Sequence, residues 1–201
     1  MNRSIFAAGL LMISFMTNNS ADAQTANTQN TTAQTATAPQ TADAPIVPAA
    51  NPADVASLDA IMRAVYDVIS GPVGKKRDWN RMRSLFIPGA RLIPTGQRPT
   101  GEVAARVVDV EGYIARSGDY LEKNGFFERE AARRTEQYGN IAHVFSTYES
   151  RHKADDSKPF ARGINSFQLV NDGKRWWVVT IFWQEETSAN PLPQKYLETR
   201  N

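Results

Sequence analysis

The period of the hydrophobic pattern changes once, at Gly125, and this change constrains the fold more than any other feature of the chain. Before it, apolar side chains recur at spacings of three and four; after it, they alternate every second residue. Upstream, Val55, Leu58, Ile61, Met62, Val65 and Ile69, with Tyr66 among them, share one helical face over 54–70, and Gly71-Pro72 stops it. Asp78 reads as the N-cap of a second, short helix over 79–86, ended by Pro88-Gly89. Residues 90–94 read as a short strand running into a Gly-rich loop over 95–101. A third helix is predicted over 107–123, carrying Val110, Tyr113, Ile114 and Leu121, and Asn124-Gly125 closes it.

Downstream, two pairs of β-rich runs flank hairpin turn signals. Gly139-Asn140 joins 126–137 to 141–151, and Asp172-Gly173 joins 162–170 to 175–185. Helices first and a meander after them give an α+β layout: three N-terminal helices packed in the concave face of a curled antiparallel sheet of four or five strands. The last strand is apolar on both faces, with Trp177, Val179, Ile181 and Trp183 on one and Trp176, Val178, Thr180 and Phe182 on the other. A two-layer domain needs one apolar sheet face, so the surplus predicts a homodimer through the sheet.

Residues 1–52 have another character. Arg3, an apolar run over 5–16 and the small-x-small Ala21-Asp22-Ala23 predict a secretory signal peptide over 1–23, and hence export to the periplasm or beyond. A run of 12 is too short to span a bilayer, so no membrane span is expected after cleavage. Residues 24–52, rich in Thr, Ala, Gln and Pro, cannot bury enough surface to offset their ordering entropy and predict a disordered linker. The folded unit is then 53–201.

The composition removes several functions. With no cysteine there is no disulfide framework, thiol nucleophile or Cys-ligated metal. A net charge of +2 over mixed signs is no footprint for nucleic acid, and Lys75-Lys76-Arg77 and Arg133-Arg134 lack interleaved aromatics. Phosphate loops, serine elbows and zincin motifs are missing. His143 and His152 are not at a metal-ligand spacing, so neither a metal nor a cofactor is expected.

The order of elements resembles a known superfamily. Tyr66 lies late in the first helix, Asp78-Trp79 leads the second, and Gly139-Asn140-Ile141-Ala142-His143-Val144 precedes the closing Trp177-Val178-Val179 and Trp183-Gln184-Glu185. Over about 54–186 this is similar to the nuclear-transport-factor-2-like fold, the cystatin-like cone barrel shared by ketosteroid isomerases and SnoaL-like cyclases. The resemblance implies a deep apolar pocket between sheet and helices, and often a dimer. It also implies that the Tyr66 hydroxyl donates to a developing oxyanion and that Trp183 lines the pocket. The isomerase pattern has an Asp base after the first strand, where this chain has Leu92-Ile93-Pro94, and a protonated Asp where it has Asn165 or Ser166. Proton transfer at carbon needs a base within reach, and that pattern's base is missing here.

Turn pairing places residues on faces without saying which face is inward. Around Gly139-Asn140, one set holds Glu136 with His143 and Glu128 with Arg151; the other holds Thr135 with Val144, Arg133 with Ser146 and Ala131 with Tyr148. The second set has smaller side chains and fewer carboxylates and is assigned to the concave face, which puts His143 outside beside Phe145. In the reverse register His143 becomes the acid–base candidate. Around Asp172-Gly173, Ser166 pairs with Val179, so the face of Val179 and Trp183 carries Ser166 and Arg162. The expected ligand pocket is therefore Tyr66, Tyr148, Arg162, Ser166, Val179 and Trp183, with Tyr66 and His143 as catalytic candidates. Its expected occupant is a small, largely apolar molecule. The alternatives are an isomerase, cyclase or dehydratase using Tyr66 with His143 or Tyr148, and an envelope assembly protein docking through the spare sheet face.

Overall fold

The computed structural model describes residues 47–98 and 100–198. The predicted signal peptide and most of the predicted linker lie outside them.

The first helical stripe is divided in two. The short α1 (Pro52–Val55) is capped by Asn51, and α2 (Leu58–Ile69) is capped by Ser57, whose hydroxyl accepts the Ala60 N–H at 3.1 Å. That side-chain bond replaces a helical carbonyl and starts a new helix within a continuous apolar pattern. Eight of the twelve residues of α2 are buried. Asp78 caps α3 (Trp79–Leu85), as expected. Asp109 caps α4 (Val110–Asn124) by accepting the Gly112 N–H at 2.7 Å, so this helix starts three residues later than its apolar pattern implied. Gly125 ends it with φ of 66°, a left-handed conformation suited to glycine. Ala50 already packs on the core, ahead of the expected domain boundary.

Six strands form one open sheet in the order β2-β1-β6-β5-β4-β3. They are β1 (Phe86–Gln97), β2 (Val103–Ala105), β3 (Phe127–Tyr138), β4 (Ile141–Arg151), β5 (Ala161–Asn171) and β6 (Trp176–Glu185). β3 to β6 form the expected antiparallel meander, but β1 runs parallel to β6. β1 begins at once after Leu85 and passes through Pro88-Gly89, which were expected to separate a helix from a short strand. The pairing is irregular between Phe86 and Arg91, where a proline costs no ladder bond. Thr95, Gly96 and Gln97, expected in a loop, instead end β1 and pair antiparallel with Ala105, Ala104 and Val103 of β2.

Two bulges set which side chains face the helices. In β3 the extra residue is Ala131, because Glu130 pairs with Tyr148 and Ala132 with Thr147. In β6 it is Val179, because Leu169 pairs with Val178 and Gln168 with Thr180. A bulge reverses the alternation beyond it. The helix-side face of β6 is therefore Trp176 and Val178, then Ile181 and Trp183, neither of the two faces expected from strict alternation. These residues join Ala142, Val144, Phe167 and Leu169 against Ile61, Met62 and Val65 in one core.

Arg77 pins three elements together. Its buried guanidinium donates to the carbonyls of Ile69 and Gly71 at 2.8 Å and of Leu121 at 3.0 Å, besides Lys75. On the opposite sheet face, the C-terminal segment covers part of the expected apolar surplus. Tyr196 packs 5.1 Å from Phe145 and accepts from Thr147 Oγ1, while Arg134 Nε donates to the Lys195 carbonyl at 2.8 Å. Phe182 stays 44% exposed on this face.

Candidate functional site

Helix α2 and the start of β3 enclose a cleft of about 480 Å³, with Arg63, Tyr66, Asp67 and Ser70 on one side and residues 127–130 on the other; Arg151 and Ala154 complete it. The Ala131 bulge decides its chemistry. Strict alternation would turn Arg129 and Ala131 towards α2; the extra residue turns Glu128 and Glu130 there instead, opposite Ser150 and Tyr148.

A directed hydrogen-bond chain crosses the floor. Arg133 Nη2 lies 2.6 Å from Glu130 Oε2, and Ser146 Oγ donates to Glu130 Oε1 at 2.6 Å. The one hydroxyl hydrogen of Ser146 is thereby used. The Tyr66 hydroxyl, 2.7 Å away, must be the donor to Ser146 Oγ, and Asn165 Nδ2 donates to Tyr66 at 3.2 Å. The phenol is fully engaged within the protein.

Glu128 is held differently. Ser150 Oγ donates to Oε2 at 2.8 Å and Asn165 Nδ2 to Oε1 at 3.3 Å, but no cation among the described residues pairs with it. Burial pushes its carboxyl up to about 7, against the opposing pull of those two hydrogen bonds. Burial, then the Glu128 carboxylate, holds the hydroxyls of Tyr66, Tyr113 and Tyr148 well above the usual phenol range. A carboxyl that exchanges its proton near neutrality in a ligand-sized cleft can act as base or acid.

The residues expected to form the site do not assemble as one. Tyr66 lines the cleft, and Tyr148 is buried on the same sheet face, opposite Glu130. Trp183 also faces the helices, edge-on to Tyr113 at 6.4 Å. Ser166 and Arg162 lie on the outer face. Ser166 pairs with Phe182 rather than Val179, because the turn at Asp172-Gly173 spans 172–175 and the Val179 bulge adds a further shift. Arg162 pairs across β4 with Glu149 and forms an ion pair with Glu186. Val179 is itself the bulge. His143 is outside too, with Nε2 2.9 Å from Ser166 Oγ and its ring against Phe145, so it shares no cavity with Tyr66. Asn165, not Ser166, faces inward. Most of the residues lining the cleft are polar or charged, although apolar atoms supply more of its surface than polar ones. Among the described residues no group of three His, Asp or Glu is placed to hold a metal. Glu128 and Glu130 were missed, and the signal for them is the bulge, which alternation alone does not reveal.

No protein-family profile matches the chain, and no curated protein sequence does. Solved structures resemble it at low identity. An NTF-2-like protein of unknown function from Silicibacter pomeroyi is 16% identical, covering 65% of this chain and 94% of its own, with a TM-score of 0.45. A protein of unknown function with a cystatin-like fold from Nostoc punctiforme is 13% identical over 66% of this chain and 94% of its own, with a TM-score of 0.46. A nuclear transport factor 2-like superfamily protein from Salmonella enterica is 12% identical over 67% of this chain and 85% of its own, with a TM-score of 0.42.

Proposed function

We propose that the cleft between α2 and β3 binds a small molecule and that Glu128 transfers a proton to and from it. The observation that carries this is the Glu128 carboxyl in the wall of the cleft, pushed up to about 7 by burial and without a cation among the described residues. It supplies the base that the sequence comparison with isomerases left missing. The reaction class is proton transfer within one substrate. Returned to another carbon, the proton gives an isomerisation; returned to a β-hydroxyl, whose C–O bond then breaks, it leaves as part of water in a dehydration. Export through the leader over 1–23 belongs to the same proposal, as does pairing of two copies through the outer sheet face.

The test is deuterium exchange at the enolisable carbon of phenylpyruvate in D₂O, followed by proton NMR. Exchange above the buffer rate that disappears in Glu128→Gln supports the reading. Equal exchange in both proteins, or none in either, overturns it. One observation favours a second reading, binding without turnover. The Tyr66 hydroxyl is committed to Ser146, so it is not free to donate to a developing oxyanion. Ligand binding without exchange is the result that reading predicts.

A further inference from the structure

We propose that the helix-side face of the sheet carries a second small-molecule site, at the end of β6, which takes an organic ammonium ion between the Tyr148 hydroxyl and the Glu185 carboxylate. Tyr148, Gly163 and Glu185 are direct cross-strand partners in one row across β4, β5 and β6. Gly163 is buried, and its missing side chain opens the middle of that row. A Cβ there would lie 2.8 Å from Tyr148 Oη, 2.8 Å from the Glu185 Cα and 2.2 Å from the Gln184 carbonyl oxygen. Any side chain at this position would take the place of the hydroxyl, so glycine lets the phenol reach across β5 to the Glu185 backbone.

Both polar groups of the row lack a partner. Tyr148 is 6% exposed, yet its hydroxyl makes no hydrogen bond among the described residues, unlike that of Tyr66 on the same face. Nor is it one of the polar atoms sealed from solvent there, so it faces open space. A buried phenol usually finds a partner within the protein; one that does not is open to a partner from outside it. Glu185 stands at the rim with no ion pair or hydrogen bond among the described residues, and burial alone acts on its carboxyl, pushing it above the usual range. Its charge and that of Glu128 both act on the Tyr148 phenol, and neither carboxylate has a cation among the described residues. The remaining wall is aromatic. Trp183, two residues before Glu185 on the same face of β6, meets Tyr113 of α4 edge-on at 6.4 Å, and both rings are half-buried. Uncompensated negative charge, a free phenol oxygen and aromatic surface together suit an ammonium: its N–H groups donate to both oxygens, and its organic part covers the rings. An anion would meet two carboxylates of its own sign, and a neutral molecule would leave their charge unanswered.

Isothermal titration of the full chain with benzylammonium and with neutral benzyl alcohol tests this. Benzylammonium is expected to bind about tenfold or more tightly than the alcohol. Glu185→Gln should remove that preference, and Tyr148→Phe should weaken benzylammonium at least about threefold. Glu185 is exposed, so its variant decides the matter if Tyr148→Phe fails to fold. Absence of benzylammonium binding, equal affinity for the two probes, or a preference unchanged in Glu185→Gln overturns the site. A preference kept in Glu185→Gln but lost in Glu128→Gln also overturns it, because the ammonium then sits in the cleft between α2 and β3. The site does not rest on the proton transfer proposed for Glu128: a protein that prefers benzylammonium through Glu185 but exchanges no phenylpyruvate proton keeps this site and loses only that reading.

Discussion

The Tyr66 hydroxyl donates to Ser146 Oγ at 2.7 Å, joining α2 to β4 across 80 residues of sequence. Both flanking groups keep a carboxylate if that hydroxyl is removed: Ser146 still donates to Glu130, and Asn165 to Glu128. Tyr66→Phe also keeps the edge contact with Phe167, whose ring centroid is 6.2 Å away. The expected loss of stability is therefore modest, about 1–2 kcal/mol. Urea denaturation measures it. A loss of about 4 kcal/mol or more would mean that the phenol carries more of the fold than this chain of bonds assigns to it.

Glu128 makes stability depend on pH in a direction opposite to that of a salt-bridged carboxylate. In the folded protein it keeps its proton up to about pH 7, whereas the unfolded chain releases it near 4.5. Between those values the native state binds more protons, so stability falls as pH rises through the window and then levels off for this group. The full difference is at most about 3 kcal/mol. Glu128→Gln should match the parent near pH 4.5 and exceed it above pH 7. Denaturation curves at several pH values that stay parallel for the two proteins would show that Glu128 is solvated and ordinary.

The legible part of this molecule was the part governed by local rules. Asp78 and Gly125 delimited helices through capping and backbone freedom, and the turn at Gly139-Asn140 gave the β3–β4 pairing correctly from Tyr138 back to Ala132. The inward placement of Val144 and Ser146 followed from side-chain size. The site was not legible, because it depends on two inserted residues. Neither Ala131 nor Val179 is marked by glycine or proline, so nothing local distinguishes a bulged strand from a straight one. Each error then carried along the strand. Beyond Ala131, two glutamates moved into the cleft wall; the register shift at Val179 and the four-residue turn left Ser166 and Arg162 outside. The C-terminal cover on Phe145 is a contact of high sequence separation, which no window of periodicity contains.

The outer sheet face keeps Phe182 exposed beyond the reach of that C-terminal cover. If two copies pair there, Phe182→Glu places a charge in the contact and yields a monomer by sedimentation equilibrium, at unchanged folded content by circular dichroism. A parent protein that already sediments as a monomer at micromolar concentration removes the dimer from the proposal.

Arg77 should prove the most sensitive charged residue of the domain, although it lies away from the cleft. Four carbonyls converge on one guanidinium, from the end of α2, the following loop and the last turn of α4. Burial lowers its basicity against the opposing field of Glu122, yet a guanidinium remains charged at any pH at which the protein is folded. Arg77→Ala strands those carbonyls and opens a void, at an expected cost of about 3–5 kcal/mol. Arg77→Lys keeps the charge but lacks the planar fork, so one ammonium cannot reach Ile69, Gly71 and Leu121 together, and about half of that loss is expected to remain. Urea denaturation of the two variants separates the roles. If lysine restores full stability, the charge alone matters and the fork geometry does not; if both variants fall, the three-way tie between α2, the loop and α4 is what holds the helices over the sheet.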